Sequence, residues 1–463
     1  MPNDAHERIQ IATACCKFSF IRCVTSFVAS TFFVLSVVLP FFVANIGWCQ
    51  EELPTDLSGF ETGDLFVVED DIPLDLDNPF LSRLVYKSQV VSQESFSRYE
   101  TYSKEVDLKA VKNDPQDFRF WVFRRSGTVV RAEKHRLPEE IATPELNEFW
   151  LLHVDMDGET AIVVSKVVPK AWAKSKKLNE PIEFTGFFFG LQSHELFLGM
   201  PESVPIFACN RVGWFPTELS SQIGPSHLLL ASQGVDMSAL DVLRASHSQR
   251  LRSSESEFFY QFIGAAKTLE DSPELEDIAT LGFVDLFDWS KAIGQVVEVE
   301  GNVIRVLSVA IDEKRQAELG VEQLYELNLS LPLDQKINVQ GGEVYEHRFP
   351  VSVQVNSLPL PPQELKGKRV RVKGFFYRFW NYQSDGSKEA GSRGQPAPLV
   401  IGFKPRIVKV NTGQVDFIFT TAAILFMIIV LGAIWILRRS DNNPDNVLNK
   451  KKASLPEKID IEL

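Results

Sequence analysis

Arg369-Val-Arg-Val-Lys-Gly374-Phe375-Phe376-Tyr377-Arg378-Phe379-Trp380 decides the reading of this chain, because it has an earlier echo. Pro181-Ile-Glu-Phe-Thr-Gly186-Phe187-Phe188-Phe189-Gly190-Leu191 follows the same plan: an alternating segment, one glycine, then three consecutive aromatics. The flanks repeat in the same order. Residues 118–131 parallel 294–305, 149–154 parallel 324–329, 161–169 parallel 350–359, and 204–209 parallel 397–402. Each segment is short, rich in β-branched and aromatic residues and bounded by turn formers, which is the strand signature. Five strands in one order, twice, imply a tandem duplication.

The glycine predicts a bulge or tight bend that turns a barrel corner, and the common five-stranded solution is the OB-fold. Other small barrels or a sandwich fit the same strand count. Two of three consecutive aromatics face one side of a strand, so the triplets are expected to fill the barrels. The expected class is mainly β with an α connector: two tandem five-stranded OB-like barrels and one C-terminal transmembrane helix. The expected divisions are a signal peptide or signal anchor (1–49), an acidic and polar lead-in (50–115), barrel 1 (116–216) and a helical connector (217–291). Barrel 2 (292–411), a transmembrane helix (417–437) and a cytoplasmic tail (438–463) follow.

Among 463 residues, 61 acidic side chains outnumber 48 basic ones, for a net charge of −13. Phosphate neutralisation needs a basic face, so this balance argues against a nucleic-acid partner. At the N-terminus Arg8, Lys17 and Arg22 precede an apolar run over 24–48, a secretory signal or an uncleaved anchor. Cys15, Cys16, Cys23 and Cys49 lie in or beside it. Its removal leaves Cys209 alone, without a disulfide framework or cysteine metal site, as a small buried hydrophobe. The lead-in reads as extended, with one helix near 92–102 or an edge strand packed on barrel 1.

Between the barrels the apolar period lengthens toward 3.6. Ser254-Glu-Ser-Glu257 reads as a capping box opening a helix with Phe258, Phe259, Phe262, Ile263 and Ala266 on one face. Ser238-Ala-Leu-Asp241 resembles another, and Ser272-Pro273 starts a third helical turn. Residues 417–437 are apolar throughout and meet Arg438-Arg439, the mark of the cytoplasmic side. The expected location is the cytoplasmic membrane, with one C-terminal span, the bulk extracytoplasmic and a short tail inside. Lys450-Lys451-Lys452 reads as part of a solvated tail.

No zinc-protease helix, P-loop, dinucleotide glycine pattern or nucleophile elbow occurs. His153-Val-Asp155-Met-Asp157-Gly158 starts like a calcium loop, but its twelfth position is Val164, so Asp157-Gly158 is better read as a hairpin turn. No catalytic residue, cofactor or metal is expected. His153 and Asp155 share one strand face and, with Trp380 and Tyr382, form a speculative ligand face. The second barrel also carries an insertion at 332–348 and a polar loop at 381–395, where binding residues concentrate.

The Gly-Phe-Phe-Phe/Tyr strands, Pro398-Leu-Val-Ile-Gly402, Ala171-Trp172 and the stretch from Gly234-Val-Asp-Met to Phe258-Phe259-Tyr260 resemble planctomycete-type membrane-anchored proteins with duplicated small β-barrel domains. The resemblance covers about 115–410 plus the final span. It implies architecture and location, and carries no assigned activity, cofactor or catalytic residue. The expected function is a non-enzymatic, membrane-anchored binding or scaffold protein of the bacterial envelope, with another envelope protein as partner. A glycan or cell-wall binding module is the alternative, and a membrane-tethered hydrolase with a dispersed site the third.

Overall fold

The computed structural model describes residues 68–91, 93–174, 178–195, 201–338, 344–382, 395–409 and 413–441. Segment 1–49, the bulk of loop 381–395 and the tail beyond Asp441 lie outside the described residues. In chain order, β1 (Ile72–Pro73), α1 (Pro79–Val90), α2 (Gln93–Ser103) and α3 (Leu108–Asn113) come first. Strands β2 (Val122–Arg136), β3 (Glu148–Met156), β4 (Glu159–Val167), β5 (Glu180–Glu195) and β6 (Pro201–Trp214) follow. Helices α4 (Pro225–Ser232), α5 (Ala239–Ala245), α6 (Ser256–Leu269) and α7 (Trp289–Ala292) connect them to the second set. That set is β7 (Val296–Ala310), α8 (Glu313–Leu319), β8 (Gln323–Pro332), β9 (Ile337–Asn338), β10 (Val344–Tyr345), β11 (Arg348–Val355), α9 (Pro362–Leu365), β12 (Arg369–Tyr382), β13 (Gln395–Gly402) and β14 (Arg406–Ile407). Helix α10 (Gly413–Asp441) ends the described chain.

The protein is mainly β, with two six-stranded sheets ordered β1-β5-β2-β3-β4-β6 and β13-β11-β8-β7-β12-β14. The expected five strands per unit become six, because a two-residue strand from outside each set adds to it. Further pairings, β5 with β6 and β12 with β13, join strands across each order. Five strands of each sheet therefore pair in a ring, and the parallel pairs β4–β6 and β11–β13 occupy the same place in it.

The repetition extends upstream of the strands. Asp71 donates its N–H to Leu191 O at 2.9 Å, and Ser248 donates to Phe379 O at 3.1 Å. Both donors sit in the left-handed region, at φ 61° and 59°. Ile72 then pairs in parallel with Gln192, as Gln249 does with Trp380. At the start of each first strand, Phe120 and Gly294 have φ of 66° and 80° and donate to Phe188 O and Phe376 O. The lead-in packs on the first repeat: β1 is the edge strand offered as the alternative, α2 falls on the helix expected near 92–102, and α1 and α3 add to it.

Asn78 caps α1 by accepting from Phe80 N at 2.9 Å, with Pro79 in its first turn. Leu81, Leu84, Val85 and Ser88 fall at helical spacing and are buried. They form, with Phe187, Phe189, Ile162 and Val164, a core on the outside of the first sheet. Phe188 faces the other way and packs with Phe123 and Phe207. Two aromatics of the triplet thus lie under a helical cover and only one lies among the strands. The second repeat does the same, with Phe262 of α6 5.3 Å from Tyr377 and 6.4 Å from Phe375. A second core runs continuously from Val154 and Phe207 through Leu240 and Phe262 to Phe375 and Val400.

Gly374 pairs with Val297 of β7 and with Gly402 of β13, so two strands approach its backbone at once. A Cβ there would stand 2.6 Å from Gly402 Cα. Gly374→Ala is expected to cost about 1–3 kcal/mol of stability through overpacking against backbone. Gly282→Ala, at an ordinary φ of −81° with 3.5 Å of clearance, is the control, and it should stay within about 0.5 kcal/mol. Denaturant unfolding of the two purified variants checks both values.

Candidate ligand groove

The pairing registers match the two repeats residue by residue. Ile162 pairs with Ile206 and Ser352 with Leu399, while Gly190 pairs with Ile206 and Arg378 with Leu399. Through β3 and β8 the match runs on to His153 with Asn328 and Asp155 with Ser330. Both first strands bulge at the same place, between Val129 and Arg131 and between Val303 and Arg305.

On the outside of the first sheet Leu151, Ile162 and Val164 lie in the core under α1 and α2, with His153 buried beside them and Asp155 exposed at the hairpin end. The matched residues of the second sheet are Glu326, Ser352 and Gln354. Ser352 and Gln354 are buried, and toward Ser352 a groove of about 280 Å³ opens, lined by Ile304, Asn328, Ser330, Tyr345, Arg348 and Ser352 among others. Ile304, the bulged residue of β7, is half exposed at 51%. Tyr345 comes from the β9–β10 hairpin of the 332–348 insertion, packed 4.5 Å from Phe349 and braced by a Lys336–Glu346 ion pair of 2.6 Å. Ser352 Oγ donates to Asn328 Oδ1 at 3.2 Å. Burial raises the Glu326 carboxyl above its usual range, opposed by Asn328 and Arg305. Among the described residues the lining contains no His, Cys, Asp or Glu. It offers an amide, hydroxyls, a guanidinium and apolar edges, a set suited to hydrogen-bonded binding.

His153 is buried on β3, its Nε2 3.7 Å from the Glu133 carboxylate. Asp155 accepts from Gly158 N at 2.8 Å and holds the hairpin turn in which Asp157 and Gly158 take positive φ. Trp380 is half buried against the core, and Tyr382 ends β12 opposite Gln395, its side chain outside the described residues. Two of the four candidates lie in the first sheet and two in the second, so they do not converge on one face. Among the described residues there is no group of three or more His, Cys, Asp and Glu placed to hold a metal ion. Cys209 is buried, with its thiol pushed up to about 12 by burial.

The strongest polar cluster was not among the expected site residues. Arg378, fully buried, donates to Glu255 Oε2 at 2.8 Å, to Gln249 O and Phe379 O at 2.9 Å, and to Arg250 O at 3.2 Å. Its sequence signal is one arginine inside an aromatic strand, at the bulge between Phe376 and Arg378. The expected capping box at 254–257 does not form: Ser254 lies in a 3-10 turn over Ser253–Glu255, Glu257 Oε2 accepts from Arg315 at 2.6 Å, and α6 starts at Ser256 without a side-chain cap. Ser238 likewise makes no cap bond and donates to Asp236, whereas Ser272 caps its turn at Glu274 N. Beside Arg378, His247 stacks on Trp289 at 3.9 Å.

No family model matches the chain, and no curated protein matches it. Among solved structures, a small single-stranded DNA-binding protein from Streptomyces coelicolor is 10% identical over 24% of this chain and 93% of its own, with a TM-score of 0.16. The wild-type single-stranded DNA-binding protein from Thermus aquaticus is 11% identical over 63% and 95%, with a TM-score of 0.15. A murine DNA-binding protein bound with double-stranded DNA is 11% identical over 62% and 99%, at 0.13. The exclusion of nucleic acid drawn from net charge is overturned by these DNA-binding neighbours and is withdrawn. Its physical fault is that net charge sums over the chain while binding depends on a local face. Ten acidic residues and no lysine or arginine lie within 51–77, so most of the excess is concentrated in one stretch of the sequence.

Burial, and then the charge of Arg378, lower the His247 pKa from 6.5 to about 4. The folded state prefers the neutral ring, so the stability it contributes is present above the unfolded value and lost as pH falls through 6.5 toward 4. His247→Phe, which keeps a ring against Trp289, is expected to flatten the stability profile over that window. Unfolding midpoints of both proteins from pH 7 to 4, whose difference isolates His247, measure this.

Proposed function

We propose that the chain is a single-span, membrane-anchored binding scaffold of the bacterial envelope. Its body, two tandem OB-like barrels and a helical connector, stands outside the cytoplasmic membrane. The anchor is the apolar helical segment Thr420–Arg438, none of which is buried in the protein, with Arg438-Arg439 marking the inner side. The ring of five paired strands in each repeat supports the OB-like reading.

The observation that carries the binding role is the contrast between matched faces. The outer face of strands two and three is where OB-folds bind their ligands. In the first repeat α1 and α2 roof Leu151, Ile162 and Val164. There His153 is buried where Asn328 stands, and Asp155 is tied into a hairpin turn where Ser330 stands. In the second, Asn328, Ser330 and Arg348 line an open groove. The first repeat is thus the structural member of the pair and the second the binding member. A protein segment is the leading ligand, since Ile304 and Val344 stand exposed beside hydrogen-bonding groups. A glycan is the second reading, favoured by Tyr345 next to Asn328, Ser330 and Arg348.

Ser330→Trp fills the groove without touching the core. Co-purification of the full-length protein from gently solubilised membranes is expected to yield a stoichiometric partner. Ser330→Trp should lower its recovery about tenfold, the factor that about 1.4 kcal/mol gives. Leu219→Ser, at a distant exposed site, should leave recovery unchanged. Full recovery with Ser330→Trp would remove the groove from the account.

A further inference from the structure

We propose that the end of the second repeat from which α10 departs is a docking face for anionic lipid headgroups of the bilayer that anchors the chain. The inference rests on the single-span reading. Strand β12 begins with Arg369 and Arg371, both exposed, and β14 lies beside them, Arg406 opposite Arg371. Val408 donates to Arg369 O at 2.9 Å, which brings the exposed Lys409 to the same end. The turn ahead of β12 is held by Gly367 N to Val303 O at 2.8 Å and Val303 N to Lys368 O at 2.9 Å, and it presents Lys366 and Lys368. Lys404, between β13 and β14, is exposed as well.

Opposing charge is short here. Glu300 takes Arg369 and Arg371, each at 2.7 Å, and Glu298 approaches Arg371 at 3.6 Å. Lys366, Lys368, Lys404, Arg406 and Lys409 form no ion pair among the described residues. Glu364 precedes Lys366 by two residues, and Asp416 is the one acidic residue between Lys404 and Arg438. The face is therefore basic in a chain that is acidic overall.

Position selects the ligand. Three residues separate Lys409 from Gly413, the first residue of α10. Chain at about 3.5 Å per residue keeps Lys409 within roughly 14 Å of that helix start. From Gly413 the apolar segment at Thr420 is about 10 Å further along the axis. The face is thus tethered next to a bilayer at high effective concentration, within reach of a surface potential that acts over about a Debye length. Nucleic-acid phosphate would satisfy the same charges, but only the lipid surface is held there by the chain itself.

Full-length protein is reconstituted in nanodiscs of phosphatidylcholine alone or of phosphatidylcholine with phosphatidylglycerol, and lysine acylation is followed by mass spectrometry. With phosphatidylglycerol, labelling of Lys404 and Lys409 should slow about fivefold, the factor for about 1 kcal/mol per basic residue near an anionic surface. High salt should restore the rate, and the distant exposed Lys291 should not respond. Equal rates in both lipids, in protein that resists alkaline carbonate, would overturn the docking face and leave the span intact. Protein washed out by carbonate would overturn the single-span reading and the face with it. Slowing by an added single-stranded oligonucleotide without any lipid effect would reassign the face to nucleic acid.

Discussion

A guanidinium buried against a carboxylate is the constraint that holds this molecule in one piece. Removing Arg378 and Glu255 from water costs several kcal/mol per ion, and only excellent geometry offsets it. The geometry is present: Arg378 reaches three backbone carbonyls and the Glu255 carboxylate, most of them on the connector between Gln249 and Glu255. The connector cannot lift from β12 without stranding a charge. Tyr377 adds its hydroxyl to Glu255 O, and α6 then lays Phe262 across Phe375 and Tyr377.

The first repeat solves the same problem from the opposite side. Gly190 stands where Arg378 would be, and a Cβ there would meet Asp70 Oδ1 at 2.9 Å. The guanidinium comes instead from Arg119, which donates to Val68 O and pairs with Asp70. Asp70 in turn accepts from Leu191 N at 2.8 Å. In both repeats an upstream segment adds in parallel to the fourth strand at its bulge, fixed by an arginine and a carboxylate, and the helix that follows roofs the aromatics. With that arrangement established twice, differences between the repeats become informative. The open polar face belongs to the second repeat, the one joined to the apolar helix.

The strands were legible because alternation and the glycine-aromatic pattern are local properties of the chain. Each of the ten expected segments overlaps a strand, with 118–121, 294–295, 168–169 and 356–359 running past the strand ends. Helix α6 was legible from Phe258, Phe262 and Ile263, but not its start, since a cap motif does not reveal that Glu257 is taken by Arg315 from 58 residues away. In the lead-in the helix expected near 92–102 is α2 and the alternative edge strand is β1, but α1 was missed for a related reason. Leu81, Leu84 and Val85 carry helical periodicity, yet they follow an acidic run that reads as disordered. The groove's one local signal was the 332–348 insertion, which supplies Tyr345 and Arg348. Ile304, Asn328, Tyr345 and Ser352 come from four strands and meet only through register. His153 and Asp155 drew attention as titratable groups, whereas the matched Asn328 and Ser330, chemically plainer, are the ones lining open space.

A double-mutant cycle on Glu255 and Arg378 tests the central constraint most directly. Unfolding free energies are measured for Glu255→Leu, Arg378→Met and the combination. Each single change should cost about 3–5 kcal/mol, because it leaves one buried charge unpaired, and the double variant should recover most of that loss. Single variants within about 0.5 kcal/mol of the parent, or costs that add without recovery, would show that this pair does not hold the connector to the second repeat.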